Sequence, residues 1–175
     1  KLDNTYMNLL TYLVVGVLIP FLILFFILRS VWLKKTKVEE AIQTCVKEIH
    51  LKDEIIKKYT IKLGRYNGPS ATLYIGEEAL YFVNLVTGTL EEMLYREILD
   101  VSSGSPESFY MMNANVQGIL ANAMTQAEIG QCVFIEVDLS YKIMTCTIAG
   151  LTPETSFEIA DQILKQKYLS DLNDY

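Results

Sequence analysis

The chain has 175 residues, a formal net charge of −6 at neutral pH, and a single histidine, His50. One histidine provides neither a Ser-His-Asp triad nor a histidine-rich metal site, so most general-base chemistry has no candidate residue. The acidic balance disfavours nucleic acid, because a phosphate backbone would be repelled. The sequence therefore predicts a protein that is not an enzyme, with no cofactor, no metal and no small-molecule substrate.

An uncharged run of 25 residues, 4–28, dominates the N-terminal part. Its apolar centre, 9–28, has 20 residues, which at about 1.5 Å per residue matches a hydrocarbon core of about 30 Å. A buried core helix in so small a chain would carry a polar stripe, which this run lacks. The sequence predicts a transmembrane anchor over 1–33.

A basic flank follows the anchor. The candidate membrane-interface residues are Arg29, Trp32, Lys34, Lys35 and Lys37. Because lysine and arginine close to a span stay on the cytoplasmic side, we expect a single-pass protein of the cell membrane with a cytoplasmic C-terminal part. Cys45, Cys132 and Cys146 are an odd number with no closely spaced pair, which is typical of free thiols in a reducing compartment.

Beyond the flank, apolar residues recur three and four apart within a charged segment. They are Val38, Ile42, Cys45, Ile49 and, after a break, Ile56. This spacing predicts an amphipathic helical stalk over 34–59 that continues the membrane helix. Two alternatives remain for the apolar seam of the stalk: it packs on a partner helix, or it folds back onto the C-terminal domain, 60–175.

After residue 59 the pattern changes from helical spacing to alternation of apolar and polar residues. Short segments rich in β-branched and aromatic residues, separated by turn formers, predict the strands of a small antiparallel sheet. These segments are 60–66, 71–75, 79–86, 89–95, 98–101, 109–112, 132–139 and 141–148. In one of them, Val133, Ile135 and Val137 share a face, while Glu136 and Asp138 point to water.

Two helices are predicted within this domain. The segment 113–130 is rich in Ala, Gln, Asn and Met and has apolar residues at helical spacing, so we expect an inserted helix. The run Thr-Pro-Glu at 152–154 provides an N-cap, a first-turn proline and an early acid, which predicts a C-terminal helix over 153–169. The apolar stripe expected to close the sheet is Phe157, Ala160, Ile163, Leu164 and Tyr168.

One hairpin and the strand after it resemble a known family. Residues 73–83 read Leu-Tyr-Ile-Gly-Glu-Glu-Ala-Leu-Tyr-Phe-Val, and residues 95–101 read Tyr-Arg-Glu-Ile-Leu-Asp-Val. With the C-terminal helix, this order resembles bacterial pleckstrin-homology-like (PH-like) and GRAM-type domains over about 60–169. The resemblance implies a membrane-anchored α+β protein whose small antiparallel β sheet or barrel is of PH-like type and is capped by the C-terminal helix.

Charge is unevenly divided along the chain. Residues 67–175 contain 15 acidic and four basic residues, a net charge of −11, whereas residues 1–66 have a net charge of +5. An anionic bilayer would repel the acidic part, so we expect it to dock other proteins of a membrane assembly. The candidate partner surface is Met111, Met112, Val116, Ile119, Leu120 and Met124.

Two other functions remain open. A lipid-sensing PH-like or GRAM-like module would use basic residues near the first hairpin, as the resemblance implies, and Lys62 and Arg65 occupy that region. An extracytoplasmic pilin-like subunit would also combine a proline-containing membrane helix, an amphipathic continuation and an antiparallel sheet. Against the pilin plan, Thr5 stands where that family has a glutamate, and Lys1 and Asp3 are charged.

Overall fold

A computed structural model describes residues 11–12, 14–64, 68–105, 130–140 and 142–173, with Asn173 described by its backbone alone. The chain divides into two compact units, Lys1–Glu40 and Ala41–Tyr175. The described elements form an α+β protein: a long N-terminal helix, an antiparallel sheet and a C-terminal helix.

The long helix, α1, spans Ile19–Lys52. A π-helical turn, Val14–Leu18, precedes it, next to Pro20, whose ring removes a backbone donor and disturbs the regular hydrogen-bond pattern. Within the described part of the chain, one helical stretch, Val14–Lys52, is long and apolar enough to cross a membrane. The most apolar segment of this stretch has no buried residues.

Seven antiparallel strands form one sheet in the second unit, in the order β4-β3-β2-β1-β7-β6-β5. The strands are β1 (Ile55–Leu63), β2 (Ser70–Gly76), β3 (Ala79–Asn84), β4 (Leu90–Leu94), β5 (Ile98–Gly104), β6 (Gln131–Asp138) and β7 (Ile143–Leu151). The register of β1 with β7 consists of Lys62 opposite Ala149 and Leu63 opposite Ile148. The two halves of the sheet, β1–β4 and β5–β7, are therefore joined by a short pairing of β1 with β7.

Helix α1 ends at Lys52, so the stalk predicted over 34–59 is too long. Residues from Ile55 onward are strand, because they pair with β2, with Tyr59 opposite Leu73 and Ile61 opposite Ala71. This pairing buries Ile61 in the core, and the alternating β-branched and aromatic residues of the segment suit a strand.

The last turns of α1 pack on one face of β2–β4. The contacting residues are Ile42, Cys45, Val46 and Ile49 of α1, with Tyr74, Tyr81, Val83, Leu90 and Leu94 of the sheet. Ile49 is fully buried in this cluster. The seam of the stalk thus folds back onto the β domain, the second of the two alternatives that the sequence left open.

The other face of the sheet forms the main core. Its members include Leu73, Ile75, Phe82, Val133, Ile135, Val137, Ile148, Ile159 and Ile163. Because strands from both halves of the sheet contribute to one cluster, the sheet curls around a common interior. The predicted inward face of β6, with Val133, Ile135 and Val137, is confirmed.

The C-terminal helix, α2, spans Pro153–Asn173, and its buried face differs from the predicted stripe. Ile159, Ala160 and Ile163 are buried, in a helix that packs on β5 and β6. Phe157, Leu164 and Tyr168 are exposed, so the prediction that they close the sheet is wrong. The helix turns its small and branched side chains to the sheet, and the small Ser156 and Ala160 permit a close approach.

Candidate functional site: an exposed apolar stripe on an acidic domain

The outward face of α2 carries four large apolar side chains, named here the α2 stripe. They are Phe157, Leu164, Tyr168 and Leu172, with exposed fractions of 68%, 43%, 65% and 53%. Steps of seven and four residues return to the same side of a helix, so the four form one row about 22 Å long. An exposed apolar row of this kind is characteristic of interaction sites.

Helix α2 begins with a well-formed cap. The backbone N–H of Thr155 donates to Oγ1 of Thr152 at 3.2 Å, and Oγ of Ser156 donates to the carbonyl oxygen of Pro153 at 2.9 Å. These contacts satisfy polar groups in the first turn and fix where the helix starts. Phe157, the first residue of the α2 stripe, follows directly.

Glu158, next to Phe157, ties α2 to β1. Its Oε1 accepts a hydrogen bond from the hydroxyl of Tyr59 at 3.0 Å and pairs with Nζ of Lys57. The hydrogen bonds from Lys57 and Tyr59 lower the pKa of the Glu158 carboxyl. The N-terminal end of the α2 stripe is therefore held at a defined place on the sheet.

Acidic side chains predominate around the α2 stripe. Helix α2 contains four acidic and two basic residues, and Lys167 is paired with Asp171 at 2.9 Å. Asp161 is exposed between Phe157 and Leu164 along the helix, and Glu154 is exposed in the first turn. An apolar row bordered by carboxylates favours a partner with apolar and cationic side chains.

A second polar centre joins the end of α1 to the β2–β3 turn. The buried carboxylate of Asp53 accepts four hydrogen bonds in this turn. The donors are the backbone N–H groups of Glu77 (3.0 Å), Glu78 (3.0 Å) and Ala79 (3.2 Å) and the hydroxyl of Tyr81 (3.1 Å). Burial, and then the charge of Asp53, raise the pKa of Tyr81. We name this arrangement the Asp53 lock; its acceptor atoms are occupied, so its role is structural.

The predicted membrane-interface residues all lie on α1. They are Arg29, Trp32, Lys34, Lys35 and Lys37, and each is exposed. Oγ1 of Thr36 donates to the carbonyl oxygen of Trp32 at 3.1 Å, and Nζ of Lys35 lies 3.8 Å from Oε1 of Glu39. These are contacts within one helix, and they leave the cationic flank on its surface.

Of the two candidate headgroup residues, the structure describes Lys62. Nζ of Lys62 donates to Oγ of Ser70 at 2.6 Å, across the first hairpin. Arg65 lies outside the described residues, as do the candidate partner surface at 111–124, the inserted helix predicted at 113–130 and the strand predicted at 109–112. The candidate partner surface therefore stays a prediction.

Two of the three cysteines, Cys132 and Cys146, are poorly suited to nucleophilic chemistry. Burial raises the pKa of the Cys132 thiol to about 11, and burial together with the charge of Glu91 raises that of Cys146 to about 11. Such thiols are protonated at neutral pH and react slowly. Within the described ranges, no group of three or more His, Cys, Asp or Glu residues could hold a metal ion.

Sequence reasoning missed both the α2 stripe and the Asp53 lock. The apolar spacing predicts that Phe157, Leu164 and Tyr168 are in the core and makes no statement about Leu172. The row Ser156, Ile159, Ile163 and Gln166, with steps of three and four residues, offers an alternative buried face. Asp53 sits in a charged run and resembles a solvated acid. The one sequence feature that indicates the role of Asp53 is its position. It lies between the segment with helical spacing of apolar residues and the alternating segment that begins at Ile55.

Comparisons with known proteins leave the family open. No family model and no curated protein matches this chain. Among solved structures, it is similar to the C-terminal domain of an unknown protein from Leishmania infantum, with 12% identity and a TM-score of 0.46 over 73% of this chain and 98% of that one. It is also similar to L. pealei PLC21, with 12% identity and a TM-score of 0.40 over 67% of this chain and 16% of that one. These likenesses are too low to carry an argument.

Proposed function

We propose that this chain is a non-enzymatic, single-pass membrane protein whose acidic cytoplasmic β domain docks a protein partner through the α2 stripe. The observation that carries the proposal is the exposure of Phe157, Leu164, Tyr168 and Leu172 in one row. A folded domain gains nothing by leaving four large apolar side chains aligned in water. A partner surface that covers them supplies the missing burial.

Membrane anchoring is supported by the surface of α1. Its apolar part is fully unburied, and side chains such as Phe21 and Leu28 are more than half exposed. Water is a poor solvent for such a surface, whereas a bilayer core about 30 Å thick suits it. The exposed cations at 29, 34, 35 and 37 favour the cytoplasmic side for the residues that follow.

The chemistry of the partner follows from charge. The segment 67–175 has a net charge of −11, and Glu154 and Asp161 border the α2 stripe. A second copy of the chain would bring two strongly acidic surfaces together, which electrostatics opposes. We therefore propose that the partner is a basic, amphipathic helix of another protein, with apolar anchors along one side and lysine or arginine beside them.

The β domain is proposed to be of PH-like type. Seven antiparallel strands followed by one C-terminal helix are what the resemblance to PH-like and GRAM-type domains implies. Headgroup binding is a weaker proposal, because Lys62 is engaged with Ser70 and the domain is acidic. Protein docking agrees better with both the charge and the apolar row.

The experiment compares two leucines of equal exposure on the same helix. Leu164 and Leu169 are each 43% exposed, but Leu169 lies about 100° around the helix from the middle of the α2 stripe. We expect the full chain, extracted in mild detergent, to form a complex with a different protein. Leu164→Asp should abolish this complex, and Leu169→Asp should retain it. The complex should weaken as salt is raised, because screening reduces the attraction between opposite charges.

Three results would refute the docking proposal. They are a wild-type protein that migrates alone at low salt, a complex that contains a second copy and nothing else, and equal loss of the complex in both variants.

A further inference from the structure

A cavity of about 270 Å³ opens on the interior side of the sheet, between β3–β4 and β6–β7. Its apolar lining consists of Leu63, Phe82, Met93, Val137, Leu139, Met144 and Cys146. The polar lining residues are Glu91, Glu92 and Thr147, with Gly64 at one edge. Most of the wall is therefore hydrocarbon or sulfur, with carboxylates on the β4 side.

The two glutamates on β4 point to opposite faces of the sheet. Glu92 pairs with Nζ of Lys52 at 3.3 Å, on the α1 side. Glu91 is opposite Phe82 in the β3–β4 register, and directly opposed residues of an antiparallel pair share a face. Because Phe82 belongs to the interior core, the carboxylate of Glu91 is on the cavity side.

Glu91 is an exposed residue of the cavity lining. Among the described residues, no ion pair involves Glu91, whereas Glu92 is paired with Lys52. The charge of Glu91 also reaches Cys146 on β7, where it adds to the effect of burial in raising the thiol pKa.

We propose that this cavity binds an alkylammonium amphiphile, a single-chain primary amine whose head pairs with Glu91 and whose tail lies along Phe82, Met93 and Met144. An ammonium group can form a charge-assisted hydrogen bond with the Glu91 carboxylate, which has no ion-pair partner among the described residues. The apolar walls accept a hydrocarbon chain and disfavour a second charge, which would be buried without a partner. An anionic lipid would be repelled by Glu91.

The size of the cavity favours a free amphiphile over a lysine side chain of a partner. Lysine has four methylenes, and the apolar walls extend along two strand pairs within a volume of about 270 Å³. A longer chain would bury more of this apolar surface and bind more tightly. This proposal is independent of the docking function, which concerns the outward face of α2 and not the strands that line the cavity.

The experiment uses the full chain in nanodiscs of zwitterionic lipid with ¹³C-methyl methionine, and empty nanodiscs to subtract partitioning. Octylamine, octanol and octanoate are titrated separately, and the Met93 and Met144 methyl signals are assigned with Met93→Leu and Met144→Leu. We expect octylamine to shift both signals, octanol to bind about tenfold more weakly, and octanoate to leave them in place.

A matched pair of variants tests the role of the carboxylate. Glu91→Gln should weaken octylamine binding about tenfold and leave octanol unchanged. Glu136→Gln removes the same charge from β6, on the face opposite Val137, and should bind as wild type. Equal binding of octylamine and octanol to the wild type, or no effect of Glu91→Gln in a folded protein, would overturn the proposal. If Glu91→Gln misfolds, the comparison of the three wild-type probes decides.

Discussion

A Cβ atom placed on Gly76 would lie 2.1 Å from Oδ2 of Asp53. The carboxylate therefore occupies the space that any other side chain at position 76 would need, directly against the β2–β3 turn. Tyr95, fully buried, donates its hydroxyl to the carbonyl oxygen of the same glycine at 2.8 Å. Gly76 is thus enclosed on two sides, and the Asp53 lock depends on its missing side chain.

Gly76→Ala should destabilise the β domain by about 1–3 kcal/mol, because the added methyl group displaces a carboxylate that holds four hydrogen bonds. Urea unfolding in nanodiscs, followed by the near-UV circular dichroism of the tyrosines, measures the change. Asp53→Ala should cost about 3 kcal/mol or more, since it leaves buried donors unpaired. Glu54→Ala, at an exposed neighbour, is the control and should change stability by less than about 0.5 kcal/mol.

The double variant Gly76→Ala with Asp53→Ala should be less destabilised than the sum of its two single variants. Once the carboxylate is gone, the methyl group has no atom to displace, so the two effects are coupled. Strict additivity of the two losses in free energy of unfolding would show that Gly76 and Asp53 act independently, contrary to the geometry.

Two substitutions on α2 separate the core from the α2 stripe. Ile163→Ala should lower the free energy of unfolding by about 2–5 kcal/mol, because a fully buried side chain leaves a cavity. Phe157→Ala, at a side chain that is 68% exposed, should change it by no more than about 0.5 kcal/mol. Comparable losses in the two variants would mean that Phe157 is covered within the monomer.

Alkaline pH should weaken the β domain through Tyr81 and Tyr95. Burial, with the charge of Asp53 as the next cause, raises the pKa of both hydroxyls above their ordinary value. The folded state therefore retains these protons better than the unfolded state. The resulting stability is complete below the unfolded-state pKa of about 10 and is lost as pH rises toward the folded-state value.

Unfolding free energies measured between about pH 9 and 11 test whether stability falls as pH rises, since that range brackets the ordinary tyrosine pKa. The wild type should lose stability more steeply than Tyr81→Phe, which has no hydroxyl proton to release at this position. Tyr12→Phe, at an exposed position outside the β domain, should follow the wild-type curve. Identical slopes for wild type and Tyr81→Phe would show that the Tyr81 hydroxyl does not cause this pH dependence.

Much of the fold could be predicted from periodicity. The alternation of β6 identified Val133, Ile135 and Val137 as inward-facing, and the run Thr-Pro-Glu located the start of α2 at Pro153. These signals are local: a pleat of period two and a cap at a fixed offset depend on neighbouring residues alone. Turn-forming residues likewise separated the strands.

The errors arose where the outcome depends on tertiary contacts. Helix α2 has two apolar rows, one through Ile159 and Ile163 and one through Phe157 and Leu164, and helical spacing cannot tell which row meets the sheet. The predicted stripe therefore combines Ala160 and Ile163 of the buried row with Phe157, Leu164 and Tyr168 of the exposed row. The predicted boundary between stalk and strand is wrong for the same reason. The pairing of β1 with β2, which is a tertiary contact, determines the structure from Ile55 onward.

In the proposed function, a basic amphipathic segment of another protein covers the α2 stripe at the membrane. A photo-crosslinking amino acid at Tyr168, in the full chain in its native membranes, tests it most directly, with the same group at Leu169 as control. We expect a discrete product from position 168, absent from 169, whose crosslinked peptide is basic and apolar at helical spacing. Crosslinks from position 168 to lipid alone, to a second copy of the chain, or to nothing would contradict it.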